Sequence, residues 1–226
     1  MNVRKMLSLF QNNHKNTILI DERIFPFTID DVASYLGNTN RNGWYLQQLI
    51  KLHCGKIIPD ILDKYLVIDA DTFFLKPTVF LENNTNDCIY NLGTENHKPY
   101  FEYMKRLHYS FEKSIPYSGI CHHMMFETKI IIKMFKMVEL FHNKGVSVTW
   151  KNFWQIFLEA IDKKDIPFSG ASEYELYLNF LVKNNSKKFK IRYLKWKNIC
   201  FHPKENEDDS DYVSWHFYDR TDSTLK

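Results

Sequence analysis

Apolar residues of this chain come in short runs that switch between strand and helix spacing. Tyr65-Leu-Val-Ile68 is a continuous apolar run of strand character that passes straight into Asp69-Ala-Asp71, with Pro77 soon after to stop it. Cys88-Ile-Tyr-Asn-Leu92 and residues 119–126 also read as strands, as do Thr17-Ile-Leu-Ile20, 189–195 and 212–217. Between them the period turns helical. Leu46, Leu49, Ile50 and His53 share one face of a helix from 43 to about 54, stopped by Gly55, while Trp44, Gln48 and Lys51 lie around towards the other. An aromatic-rich helix is expected over 99–113. Ile130, Ile131, Met134, Val138 and Phe141 mark a further helical face ending at Gly145, and another helix spans 150–161. Ser172-Glu-Tyr-Glu175 opens the last in a capping-box pattern, which assigns Glu175 to the Ser172 backbone N–H. Strands interleaved with helices predict an α/β domain with a mixed sheet flanked by helices.

Composition narrows this picture. A length of 226 residues with no repeat and no low-complexity linker fits a single domain over 1–226, and 44% hydrophobic content is enough for a substantial core. The polar run Pro203-Lys-Glu-Asn-Glu-Asp-Asp-Ser210 reads as a surface loop. No apolar run approaches the ~18 residues of a membrane span, and the apolar start is too short for a signal peptide. Cys54, Cys88, Cys121 and Cys200 are scattered without metal-ligand spacing, so free thiols in a reducing, cytoplasmic compartment are expected. A net charge of +3, with lysines spread along the chain, gives no basis for nucleic-acid binding. Neither a Walker-type loop nor a dinucleotide fingerprint occurs, so any phosphate handled here calls for a metal.

Candidate chemistry starts at Asp69 and Asp71. Alternation along an extended segment would aim both carboxylates to one side, and carboxylate oxygens suit Mn²⁺ or Mg²⁺; the competing reading is an acidic turn after a buried strand. Glu173, at the first helical position, is either a general base or a carboxylate placed to suit the positive helix end. His216 stands beyond Ser214 on one strand face, as a third metal ligand or a packed core histidine. His122 and His123 are adjacent and must face opposite ways, so at most one reaches a given ligand. Gly119 either lets a ligand approach the backbone or makes a plain turn.

In this order the segments resemble nucleotide-sugar-dependent glycosyltransferases of the GT-A (Rossmann-like) fold, in particular a little-characterised bacterial and viral branch. The resemblance is carried by Gly43-Trp-Tyr-Leu-Gln-Gln-Leu-Ile-Lys51, the Asp69-Ala-Asp71 signature, Tyr117-Ser-Gly-Ile-Cys-His-His-Met-Met-Phe126, Ser172-Glu-Tyr-Glu-Leu-Tyr177 and Trp215-His216. It implies that Asp69 and Asp71 are the metal-and-donor aspartates, Asp71 the more direct ligand, and that His216 is the carboxy-terminal metal histidine. It places Gly119 in a glycine-containing acceptor-side loop and Glu173 where inverting members have their base. Trp44, Gln47 and Gln48 are the candidates for contacting the donor or its nucleobase. The implied partners are a nucleoside-diphosphate-sugar, with Mn²⁺ or Mg²⁺, and a glycan or protein acceptor. GT-A domains open on a hydrophobic strand, whereas residues 1–16 are polar and rich in Asn, so that strand is short or missing here.

Two other readings share the motifs. A degenerate glycosyltransferase-like domain would bind sugar or act as a scaffold without turnover. A haloacid-dehalogenase-type phosphohydrolase would also open on Asp69-Ala-Asp71. That motif expects threonine or valine where Phe73 stands, and a later acidic pair, for which only the hydrophilic Asp208-Asp209 is available.

Overall fold

The apolar run before Asp69 forms strand β1 (Lys64–Ile68), which pairs antiparallel with β4 (His123–Glu127) so that Ile68 lies opposite His123. This is a computed structural model, and it describes residues 17–145, 149–185, 189–200 and 209–216. The helices among those residues are α1 (Ile29–Leu36), α2 (Asn42–Ile57), α3 (Lys98–Leu107), α4 (Thr128–His142), α5 (Phe153–Glu159) and α6 (Glu173–Asn185). The remaining strands are β2 (Thr72–Phe74), β3 (Ile89–Asn91), β5 (Lys190–Arg192), β6 (Trp196–Asn198) and β7 (Tyr212–Ser214). The expected α/β class holds. The described strands divide into small sheets rather than one mixed sheet: β1 with β4, β3 parallel to β5, and β7 between antiparallel β2 and parallel β6.

Apolar burial centres on α2, α4 and α6, which pack on one another. Leu49 and Leu52 of α2, Ile131, Met134 and Val138 of α4, and Tyr177 and Leu178 of α6 are fully buried. Helix α6 is buried on every side from Glu173 to Leu181, the pattern of a central helix rather than a surface one. Helix α1 is fixed at its start by a complete capping box between Thr28 and Asp31.

Several elements depart from the sequence expectation. Residues 17–20 pair with no strand among the described residues, and Ile18, Leu19 and Ile20 are exposed. The expected absence of a first strand in 1–16 lies outside the described residues. Helix α3 ends at Leu107, because the His108 ring accepts the Ser110 N–H and turns the chain. The strand expected over 119–126 begins only at His123, after the left-handed His122 (φ 60°). Phe141 is 41% exposed and packs on the His108 and Tyr109 rings instead of the core. The expected 189–195 strand is limited to β5, with β6 a separate strand, and Phe217 lies outside the described residues. Cys54, Cys88 and Cys121 are free thiols, and of the four cysteines only Cys88 and Cys121 are buried. Among the described residues no helix is long and apolar enough to cross a membrane.

Gly55 does not stop α2; the helix runs through it to Ile57. A Cβ there would stand 2.5 Å from Thr128 Oγ1 and 2.8 Å from Tyr65 Cε1, and the Gly55 N–H donates to the Tyr65 hydroxyl at 3.1 Å. The glycine serves a close approach between α2 and the start of α4. Alanine normally stabilises a helix interior by about 1 kcal/mol over glycine. Here Gly55→Ala should instead destabilise by about 1–3 kcal/mol through overpacking. Urea unfolding reads the sign, and a gain in stability would refute the close-approach role.

Candidate functional site

Separate stretches of chain meet at the carboxyl end of β1. The Asp69 N–H donates to the His122 carbonyl at 2.8 Å, carrying the β1–β4 ladder one residue past Ile68. The chain then turns, with the Thr72 N–H on the Asp69 carbonyl at 3.0 Å. Asp69 and Asp71 therefore face one cavity because a turn wraps around it, not because an extended strand alternates. Beyond the turn β2 pairs with β7, and the Trp215 N–H donates to the Asp71 carbonyl at 2.8 Å. That bond delivers the next residue, His216, whose Nδ1 lies 3.0 Å from Asp71 Oδ2.

The cavity has a volume of about 540 Å³, within the size range of small-molecule sites. Asp69, Asp71, Glu173, His216, Trp44 and Gln47 all line it. Gln48 and Gly119 do not line it. Gln48 is buried and its Oε1 accepts the Glu173 N–H at 3.1 Å, satisfying one of the open donors at the start of α6. A Cβ on Gly119 would stand 2.6 Å from the Tyr174 carbonyl, so this glycine lets its loop lie against α6. Glu175 receives bonds from Ser118 Oγ and Asn179 Nδ2, while its own N–H donates to Ser172 Oγ at 3.3 Å. Half of the expected capping box is thus made, and the glutamate ties the 118–119 loop to α6.

Lys51 is the side chain that the pattern reading left unassigned. It is 8% exposed, and its Nζ lies 2.5 Å from Asp69 Oδ1 and 2.8 Å from Glu173 Oε1. The same ammonium sits 4.5 Å over the Tyr174 ring, whose hydroxyl donates to Asp69 Oδ1 at 2.8 Å. His122 Nδ1 stands 3.6 Å from Asp69 Oδ2, an ion-pair distance and long for a hydrogen bond. Burial alone would raise the Asp69 carboxyl. His122, Lys51 and Tyr174 outweigh it and hold the group down at about 2. Burial likewise opposes the Lys51 charge, yet Glu173 and Asp69 raise it above its ordinary value. The His216 imidazole lowers Asp71 against burial and the nearby Asp69 charge. His123 faces away, packed on Phe74, Phe80 and Tyr212, and burial pushes it down to about 4, so it is a neutral core residue.

Asp71 and His216 are the side chains that could hold a cation here, through one carboxylate and one imidazole. Among the described residues no three His, Cys, Asp or Glu side chains converge as a closed metal cage. An ion held by so few protein ligands would keep water and substrate phosphates as its others. Arg41, Glu95, Tyr100 and Ser169 complete one end of the cavity and carry no motif in the sequence. Lys51 had one usable signal, its seven-residue spacing from Trp44 on the same helix.

Residues 2–199 match the profile of a family of unknown function, DUF6492. No curated protein and no solved structure matches the chain.

Lys51→Met leaves two carboxylates facing each other without a counter-charge. It should cost about 3 kcal/mol of stability at neutral pH, as loss of one partner of a buried ion pair does. Asp69 has its folded value lowered to about 2 from 3.8, so its contribution is present above roughly pH 4 and lost as pH falls towards 2. The deficit of the variant should therefore be largest at neutral pH and shrink in acid. Urea unfolding at both pH values measures it, and a pH-independent deficit would contradict the electrostatic account.

Proposed function

We propose that this chain, which belongs to the DUF6492 family, is a metal-dependent glycosyltransferase. It moves a hexosyl or deoxyhexosyl group from a nucleoside-diphosphate-sugar to a glycan or protein acceptor. One observation carries the reading: Asp69, Asp71, Glu173 and His216, scattered over most of the chain, line a single cavity. These are the residues to which the glycosyltransferase resemblance gives roles, and a GT-A arrangement belongs to the same proposal.

Each residue then has a task that its surroundings support. Asp71 and His216 would hold Mn²⁺ or Mg²⁺, and the ion, when bound, would neutralise charge on the departing diphosphate. Asp69 is kept ionised by His122, Lys51 and Tyr174 and presents a fixed acceptor to the donor. Glu173 takes the proton of the acceptor hydroxyl as the sugar carbon is attacked from the side opposite the leaving group, which inverts the configuration. Lys51 fixes the direction of that carboxylate through Oε1. Glu173 is 4% exposed, so its proton transfer would run in a site with little bulk water.

The rival with an observation in its favour is a sugar-binding domain without turnover, because Lys51 already engages both Asp69 and Glu173. The phosphohydrolase reading loses ground. Asp209 is 82% exposed and pairs with Lys195 and Lys76, and it is not among the residues lining the cavity; Asp208 lies outside the described residues.

A thermal-shift panel of nucleotide-sugars with and without Mn²⁺ separates these readings, since a bound ligand raises apparent stability by mass action. At least one donor should stabilise the protein only when Mn²⁺ is present, and Asp71→Ala should abolish that shift. Glu173→Gln should keep the shift and lower transfer by about 10²–10⁴-fold. Donor binding without any transfer or hydrolysis would favour the non-catalytic domain, and no Mn²⁺-dependent shift across the panel would sink the proposal.

A further inference from the structure

We infer that the end of the cavity built from Arg41, Trp44, Glu95, Tyr100 and Ser169 is a saccharide subsite, and that it holds a sugar ring as the acceptor rather than the nucleobase of the donor. The word acceptor rests on the transferase reading; the sugar-binding chemistry does not.

The cavity runs along α2. Trp44 and Lys51 both line it, and seven residues of helix separate them by about 10 Å. At the Lys51 end stand Asp69 and, through the turn, Asp71 with His216. At the other end the Arg41 guanidinium stacks over Trp44, 4.1 Å from the ring centroid. Arg41 Nε donates to the Phe168 carbonyl at 2.7 Å and Nη2 to Ser169 Oγ at 3.0 Å. His97 Nε2 lies 3.0 Å from the Ser169 carbonyl, and its ring packs edge-on against Tyr100. Aromatic rings, a guanidinium and a hydroxyl are therefore held in place before any ligand arrives.

That set matches both surfaces of a sugar. Pyranose rings offer an apolar C–H face, which packs on an aromatic side chain, and an edge of hydroxyls, which a carboxylate, a guanidinium and a serine can bond. Glu95 is exposed at the rim and can accept from such hydroxyls without desolvation of a buried charge. Glu173 lies between the two ends. Lys51 bonds its carboxylate, and the Glu173 backbone N–H donates to Gln48, about one turn of α2 nearer to Trp44. A nucleotide laid with its base at Trp44 and its diphosphate at Asp71 would cover Glu173 and leave the acceptor no approach to it. With the diphosphate at the cation end, the ring that gives up a proton to Glu173 belongs at the Trp44 end. Trp44 and Gln47 are thereby acceptor-side residues.

Saturation-transfer NMR on the full chain tests this without metal or nucleotide, using methyl glycosides of glucose, galactose, N-acetylglucosamine and rhamnose, with uridine as the nucleobase arm. At least one glycoside should show transfer from the wild type. Trp44→Ala should weaken it by about tenfold, the scale of one lost stacking contact. Unfolding midpoints check that the variants fold; if Trp44→Ala does not, Arg41→Lys is read in its place, with the same weakening expected. No signal from any glycoside, equal signals in wild type and folded variants, or uridine competing with the glycoside would each overturn the inference. Glycoside binding with no Mn²⁺-dependent nucleotide-sugar binding would retain the subsite and remove the transferase reading. The opposite pattern would remove the subsite alone.

Discussion

A lysine ammonium buried between two carboxylates is the interaction on which the rest of this structure depends. Lys51 comes from the middle of α2, Asp69 from the end of β1 and Glu173 from the first turn of α6. Taking these charges out of water is costly, and their mutual attraction offsets that cost only when each is well placed and further bonded. Tyr174 and Gln48 supply the extra bonds, one to the Asp69 carboxylate and one to the Glu173 backbone. The gain lies in geometry more than in net stability. Three elements that share no local sequence are held at fixed separation, and both carboxylates are turned towards one cavity.

Around that contact the site is assembled where regular structure stops. Asp69 and Asp71 lie in the turn after β1, His122 just before β4, His216 just after β7, and Glu173 at the opening of α6. Chain ends of this kind have free backbone groups and can change direction, so their side chains can converge on one point while the packed core behind them stays rigid. The core is dense at that boundary. Gly119 lies so close to the α6 backbone that a methyl group would collide with the Tyr174 carbonyl. Loop and helix are thereby held together directly behind the site.

The cavity has two chemically different ends. One is charged, with the Asp71–His216 pair and the Lys51 network; the other is aromatic and hydrogen-bonding, with Trp44, Arg41 and Tyr100. Under the proposed function, such a division suits transfer of a sugar from an anionic leaving group, which departs, to a neutral polyhydroxyl partner. In that proposal Glu173, bonded to Lys51 through its carboxylate and to Gln48 through its N–H, is the group that takes the acceptor's proton.

Much of this was legible in the residues themselves. The run into Asp69-Ala-Asp71 predicted β1, although not the turn that follows it; Ser172 with Glu175 predicted the start of α6; and the spacing of Ile130, Ile131, Met134 and Val138 predicted α4. These are local matters, set by side-chain period, capping and breaker residues, and a single stretch of chain contains all the information needed. The role of Lys51 was not legible, because a lysine on the polar side of a helix reads as solvated until two distant carboxylates are known to meet it. The same holds for Gly55, which a local reading takes as a helix stop and which packing uses as a contact, and for Arg41 and Ser169, joined across 128 residues. The sequence by itself determined the longer helices, strand β1 and the carboxylates that follow it. Only the tertiary structure decided which charges share a cavity, because burial and long-range pairing depend on how those segments pack.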